Sequence, residues 1–142
     1  MIVADTSFVY ALLDRRDNRH HQAAQWYGGT DEEIATTPLV LAEVDHLART
    51  RAGPSAATAF HADVRAGAYL VEWWTAAERE AADIADGYAE LGVSLTDASL
   101  VGLAARFGTG RIATFDERHF RALRPLQRRL AAFTLVPLDD AA

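Results

Sequence analysis

Residues 1–13, MIVADTSFVYALL, set the frame for the rest of the chain. Ile2, Val3 and Ala4 form a short apolar run that reads as a buried strand. The run stops at Asp5, and Phe8 to Leu13 follow with apolar residues at helical spacing. A chain that opens as strand, acid, helix is laying down the first unit of an α/β fold, and it leaves a carboxylate at the carboxyl end of its first strand.

The same alternation continues outward. Polar residues 14–19 precede a helix beginning near His20 and stopped by Gly28-Gly29, and Ile34 to Thr36 reads as a second strand. Thr37 and Pro38 supply a cap and a first helical position for LVLAEVDHLARTRAG, which Gly53-Pro54 ends. Ser55 to Ala66 is an alanine-rich helix, Tyr69 to Trp73 is strand-like, and Thr75 is expected to cap AAEREAADIADGYAEL, which Gly92 ends. Thr96 is expected to cap DASLVGLAARFG. Arg111 to Phe115 then reads as a strand delivering Asp116, followed by a helical turn (ERHFRALRP) and a last strand near FTLVP. Short connections between alternating strands and helices predict one α/β unit over residues 1–142, with a mostly parallel sheet of about five strands between helical layers.

Composition narrows the chemistry. Half of the residues are hydrophobic and 24% are charged, the balance of a chain that builds a core. There is no cysteine, which excludes disulfides, thiolate zinc sites and thiol nucleophiles. All 14 cationic side chains are arginine, so the lysine required by P-loop NTPases, haloacid-dehalogenase-like phosphatases and receiver domains is missing. No basic region precedes the first apolar stretch and no apolar run approaches the roughly 18 residues of a membrane span, so a cytoplasmic protein without membrane contact is expected. The net charge of −6 opposes nonspecific polyanion binding, yet it is unevenly spread. Glu72 to Asp97 is strongly acidic, whereas Arg106, Arg111, Arg118, Arg121, Arg124, Arg128 and Arg129 make the later part basic.

Four acids stand out by position. Asp5 and Asp116 each follow a strand and would emerge together at the carboxyl edge of a parallel sheet. Glu43 shares a helix side with Leu39, Val40 and Leu47, an apolar stripe where an acid is out of place, while Asp45 points elsewhere and reads as solvated. Asp97 heads a stripe continued by Leu100, Val101 and Ala104, at a helix N-terminus that favours its charge. Clustered buried carboxylates hold either protons or a cation, and oxygen ligands without cysteine suit Mg²⁺ or Mn²⁺. Such an ion supports phosphoryl transfer by activating water and neutralising charge on phosphate. Thr6, Ser7 and Thr114 are placed to hydrogen-bond a carboxylate, a water or phosphate, or equally to cap strand ends. Arg111, Arg118, Arg121 and Arg124 are candidate RNA contacts or a solvated face, and Arg15, Arg16 and Arg19 invite the same two readings. The five histidines carry no assigned role.

The segments IVADTSFVYALLD, TPLVLAEVDHLARTR, LTDASLVGLAARFG and IATFDERHF, in this order and spacing, resemble PIN domains, and more narrowly the VapC toxins of bacterial toxin–antitoxin pairs. The resemblance implies a PIN-like three-layer α/β/α sandwich and Mg²⁺- or Mn²⁺-dependent endoribonuclease activity on structured RNA. It also implies a homodimer inhibited by a small VapB-type antitoxin. It makes Asp5, Glu43, Asp97 and Asp116 the catalytic and metal-binding acids, with Thr6 and Thr114 as polar support. One departure is Arg118, where many PIN domains carry a further acid or Asn two residues after the last core Asp; one ion or two stays open. Two rival readings are a catalytically silent PIN-like module that docks a partner helix, and a magnesium-dependent phosphatase of small esters.

Overall fold

The computed structural model describes residues 1–140, so the last two residues of the expected 1–142 unit lie outside the described residues. Five short strands, β1 (Ile2–Ala4), β2 (Ile34–Thr36), β3 (Leu70–Val71), β4 (Arg111–Ala113) and β5 (Thr134–Val136), form one sheet in the order β3-β2-β1-β4-β5. Every pairing is parallel. β1, β2 and β4 are buried or nearly so along their length, which is why they read as apolar runs without alternation.

Helices fill both faces. α1 (Thr6–Leu13) and α2 (His20–Gly29) link β1 to β2, while α3 (Pro38–Leu47), a π-helical turn (Ala48–Ala52) and α4 (Pro54–Arg65) link β2 to β3. α5 (Ala77–Gly87), a 3₁₀ turn (Ala89–Leu91) and α6 (Leu95–Phe107) return the chain to β4, and α7 (Glu117–Phe120) precedes β5. Right-handed crossovers put the helices that run outward from β1 on one face and those that return on the other, giving the three-layer α/β/α sandwich. β1 and β4 are neighbours whose chains leave in opposite directions, so a crevice opens beyond their carboxyl ends. The core beneath it contains Ile2, Val3, Phe8, Leu100, Leu103, Ile112, Leu135 and Val136.

Local signals explain most boundaries, with instructive exceptions. Pro38 occupies the first turn of α3, and Gly108, at φ 66°, ends α6 in a conformation that costs glycine little. Thr96 is not the cap of α6: the helix starts earlier, and the Ser94 hydroxyl accepts the Asp97 amide at 3.1 Å. Thr75 is not the cap of α5 either, because Ala76 takes the capping position in a left-handed conformation at φ 68°. Gly28 and Gly29 lie inside α2. The strand expected over 69–73 shrinks to Leu70–Val71, and Trp74, just beyond it, packs on α6 at Gly102. A Cβ built on Gly102 would lie 3.0 Å from the Trp74 ring, so a glycine is what lets indole and helix approach.

Ile112 is fully buried at the middle of β4 and flanked by β1 and β5. Ile112→Ala is expected to cost about 2–5 kcal/mol of unfolding free energy with an unchanged denaturant slope, as read by urea titration.

Candidate active site

The crevice beyond β1 and β4 is a cleft of about 330 Å³ whose walls include Asp5, Glu43, Asp97 and Asp116. Four separate segments therefore deliver one carboxylate each. Asp5 leaves β1 and its amide donates to the Ala113 carbonyl of β4 at 2.9 Å, which fixes the two strand ends against each other. Asp116 leaves β4 three residues past its end and opens α7, where its Oδ1 accepts the His119 amide at 3.1 Å. Asp97 is held in the first turn of α6, and Glu43 projects from α3.

Hydroxyl groups fasten these acids. The Thr114 and Ser7 hydroxyls donate to Asp5 Oδ2 at 2.7 and 2.9 Å. Ser7 Oγ also accepts the Phe115 amide at 3.0 Å, and Thr114 Oγ1 accepts the Asp116 amide at 2.9 Å. Glu43 is gripped from both sides: Thr6 donates to Oε1 and Thr96 to Oε2, each at 2.7 Å. With both of its oxygens in hydrogen bonds, the Glu43 carboxylate is fixed in direction even though the residue as a whole is exposed. Its position on α3 is at the margin of the packed face, which is centred on fully buried Val40 and Val44. Asp45 is more than solvated: it binds Arg49 through both oxygens and His61 Nε2 at 2.6 Å.

His119 joins the cluster unannounced by the sequence reading. Its Nδ1 stands 2.8 Å from Asp97 Oδ2 and 3.1 Å from Asp116 Oδ2. Asp97, Asp116 and His119 each offer a ligand atom within 4.8 Å of the others. The available signal was the spacing Asp116-x-x-His119, which puts both side chains on one side of a helical turn. Thr96 was the other missed partner, hidden by its plausibility as a cap.

Electrostatics mark the deep acids. Burial pushes the Asp5 carboxyl up to about 6, and the neighbouring Asp97 charge adds to this against the opposing hydrogen bonds from Thr114 and Ser7. Asp97 is also raised, first by burial, with the His119 contact working the other way. No basic side chain pairs with Asp5 among the described residues. Asp97 and Asp116 share only the His119 ring, and a crowded set of hard oxygen donors so placed fits a divalent ion such as Mg²⁺ or Mn²⁺.

The expected arginines divide. Arg111 does not reach the site: it starts β4 at the opposite edge of the sheet and is held at 2.9 Å by both Glu32 and Asp140. Arg121 is engaged by Asp139 at 2.7 Å and Glu117 at 3.6 Å, so Glu117 faces away from the cleft. Arg118 and Arg124 are exposed, neither of them lining the cleft. Arg19 and Arg51 do line it.

With this geometry in hand, the relatives can be set beside it. The PIN domain family profile matches residues 2–126. The chain is 34% identical over 137 residues to Ribonuclease VapC26 of Mycobacterium tuberculosis, an alignment spanning 96% of this chain and all of that one. The crystal structure of Mycobacterium tuberculosis VapC20, described as a sarcin–ricin loop cleaving toxin, superposes with a TM-score of 0.75 at 29% identity over 82% of this chain and 90% of that one. FitAcB from Neisseria gonorrhoeae shares the fold at a TM-score of 0.61 and 17% identity, over 94% of this chain and 97% of that one.

Because the folded Asp5 carboxyl titrates near 6 against an unfolded 3.8, its protonated form stabilises the fold below about pH 4, and that stability is lost as pH rises through 6. The metal-free protein is expected to lose on the order of 3 kcal/mol from this group between those limits. Asp45, Asp139 and Asp140 are shifted down, so their contributions change below the ordinary carboxylate range and not in this window. Melting in EDTA at pH 5 and pH 7.5 tests this: wild type melts higher at pH 5, and Asp5→Asn reduces the difference. Equal melting temperatures for the wild type at the two pH values would refute the burial cost assigned to Asp5.

Proposed function

This chain belongs to the PIN-domain family, and on that premise we propose that it is the toxin of a type II toxin–antitoxin pair, an endoribonuclease that hydrolyses phosphodiester bonds in structured RNA. The observation that carries the reading is the convergence of Asp5, Glu43, Asp97 and Asp116, from four distant segments, on one cleft at the switch point of the sheet. The relationship to Ribonuclease VapC26 and the structural likeness to VapC20, an RNA-cleaving toxin, support the same class of reaction.

Asp5, Asp97 and Asp116 are the residues that would hold the ion, with Glu43 at its edge. Mg²⁺ or Mn²⁺ bound there supplies a Lewis acid that lowers the pKa of water and neutralises charge on the phosphate and the leaving oxygen. The protein's own contribution is orientation. Thr6 and Thr96 aim the Glu43 carboxylate into the cleft, where it can take a proton from an attacking water. Ser7 and Thr114 hold Asp5 while tying its strand end to that of Asp116. His119 is a positioning residue for Asp97 and Asp116, since its ring nitrogen touches both. Attack by water would leave 5′-phosphate and 3′-hydroxyl ends.

The proposal extends to residues 1–142 acting as one unit, a homodimer in the cytoplasm, and a VapB-type antitoxin as the inhibiting partner, the last supported by the likeness to Ribonuclease VapC26. None of the helices among the described residues is long and apolar enough to cross a membrane.

Asp97→Asn is expected to reduce RNA cleavage on the order of 10²-fold or more, with EDTA abolishing the wild-type activity and Mg²⁺ or Mn²⁺ restoring it. Mapping new 5′ ends in cells expressing wild type against Asp97→Asn identifies the RNA that is cut. Full cleavage by Asp97→Asn would favour a silent binding module, and activity on p-nitrophenyl phosphate with none on RNA would favour a phosphatase.

A further inference from the structure

The cleft presents a difficulty for a polyanionic substrate, because its floor is acidic and the chain carries a net charge of −6. Two side chains answer it. Arg19, from the loop before α2, and Arg51, from the π-helical turn after α3, both line the cleft, and neither forms an ion pair among the described residues. Other arginines of the basic C-terminal part, such as Arg111 and Arg121, are already neutralised by acids.

The two guanidinium groups are built differently. Arg51 is presented by a change of helical pitch. Glu43, Leu47 and Arg51 all line the cleft at intervals of four residues. In an uninterrupted α-helix two such steps rotate the last position by about 80° from the first. The π turn, closed by the Gly53 amide to the Ala48 carbonyl at 2.8 Å, advances by a smaller angle per residue and brings Arg51 back toward the line of Glu43. Arg19 instead lies over the Phe115 ring at 5.2 Å, and Phe115 stacks on Phe8 at 6.2 Å and 29°. Phe8 is fully buried and abuts Trp26 edge-on at 5.6 Å. A column rooted in the core thus ends in the Arg19 guanidinium at the cleft, with Phe8 next in sequence to the Asp5-binding Ser7 and Phe115 next to Asp116.

We propose that these two elements form a two-sided RNA grip, in which Arg51 binds a backbone phosphate adjacent to the scissile one and the Phe115–Arg19 stack receives the neighbouring nucleobase. This rests on the nuclease reading above and deepens it. A guanidinium fork suits a phosphate, and a guanidinium or aromatic plane suits an unpaired base. A base can stack on such a group only when it is unpaired, so the geometry favours a nucleotide presented by a loop or bulge.

The test uses the full chain with Arg51→Gln, Arg51→Lys, Arg19→Gln, Arg19→Lys and Phe115→Leu, each checked for an unchanged melting temperature. Binding is read by anisotropy in Ca²⁺ on a fluorescein-labelled hairpin RNA pool with randomised loops, and cleavage on total bacterial RNA in Mg²⁺. Arg51→Gln is expected to lower the slope of log Kd against log salt by about 0.7 and to raise KM about 10-fold with little change in kcat, and Arg51→Lys restores most of both. Arg19→Gln and Phe115→Leu are expected to weaken binding about 10-fold, and Arg19→Lys does not rescue, because it keeps the charge and loses the plane. Rescue by Arg19→Lys overturns the stacking half. Wild-type cleavage with affinity and salt slope unmoved by every variant overturns the grip while leaving the nuclease intact. A wild-type protein that neither binds nor cuts RNA overturns both.

Discussion

The structure is organised around a repulsion. Asp97 and Asp116 offer ligand atoms within 4.8 Å of each other, a separation at which two full charges repel by on the order of 3 kcal/mol at the effective dielectric of a protein. Asp5 lies close enough to Asp97 to be raised by its charge. Such a group is tolerable only if something opposes dispersal, and here His119, which touches both Asp97 and Asp116, is joined by elements that are covalent and topological. Each acid is anchored to a different element, and the elements are fixed by a sheet whose strands are paired through backbone bonds that no side-chain charge can slide. The hydroxyls then do the fine positioning at modest individual strength.

That division of labour explains what could be read from the residues and what could not. The fold was legible because IVA, IAT and RIATF are apolar runs followed by helical periodicity, and because acids after β1 and β4 fall on the same edge of any parallel sheet. Asp97 was legible for the same kind of reason, an acid at the head of an apolar stripe. Glu43 was visible from its neighbours, although the packed face of its helix lies closer to Val40 and Val44 than to Leu39 and Leu47. The supporting groups were harder. A threonine before a helix is chemically equivalent as a cap or as a donor across the fold, and only the fold decides. Thr96 donates to Glu43, 53 residues earlier in the chain, while Ser94 takes the cap. Thr37 likewise sits at the start of α3 but spends its hydroxyl on Ser99 at 2.9 Å.

Charge is where a one-dimensional reading is weakest. Seven arginines between 106 and 129 look like a basic surface, yet Arg111 and Arg121 are closed off by Glu32, Asp139, Asp140 and Glu117, three of which lie outside that stretch. Arg106 is stacked on Trp74 at 5.0 Å, where its role is tied to the packing of α6. Arg19 and Arg51, which do line the cleft, lie outside that stretch. A local excess in sequence is therefore a statement about composition, and the field at a site is a statement about which charges have no partner once the chain is folded.

These points combine into a view of how an acidic protein can act on RNA. Long-range attraction is absent at a net charge of −6, so association gains little from steering, and affinity has to come from contacts made at the cleft itself. A divalent ion would cancel part of the negative floor and add an attraction for phosphate at the one place where chemistry occurs. The Arg19 and Arg51 guanidinium groups, neither in an ion pair among the described residues, line the same cleft as the carboxylates, so a strand drawn toward it meets positive charge as well as negative. Selectivity then arises from what the contacts can receive: a nucleotide already unstacked in a loop brings with it a base free to stack on a guanidinium or aromatic plane, which a paired base cannot do.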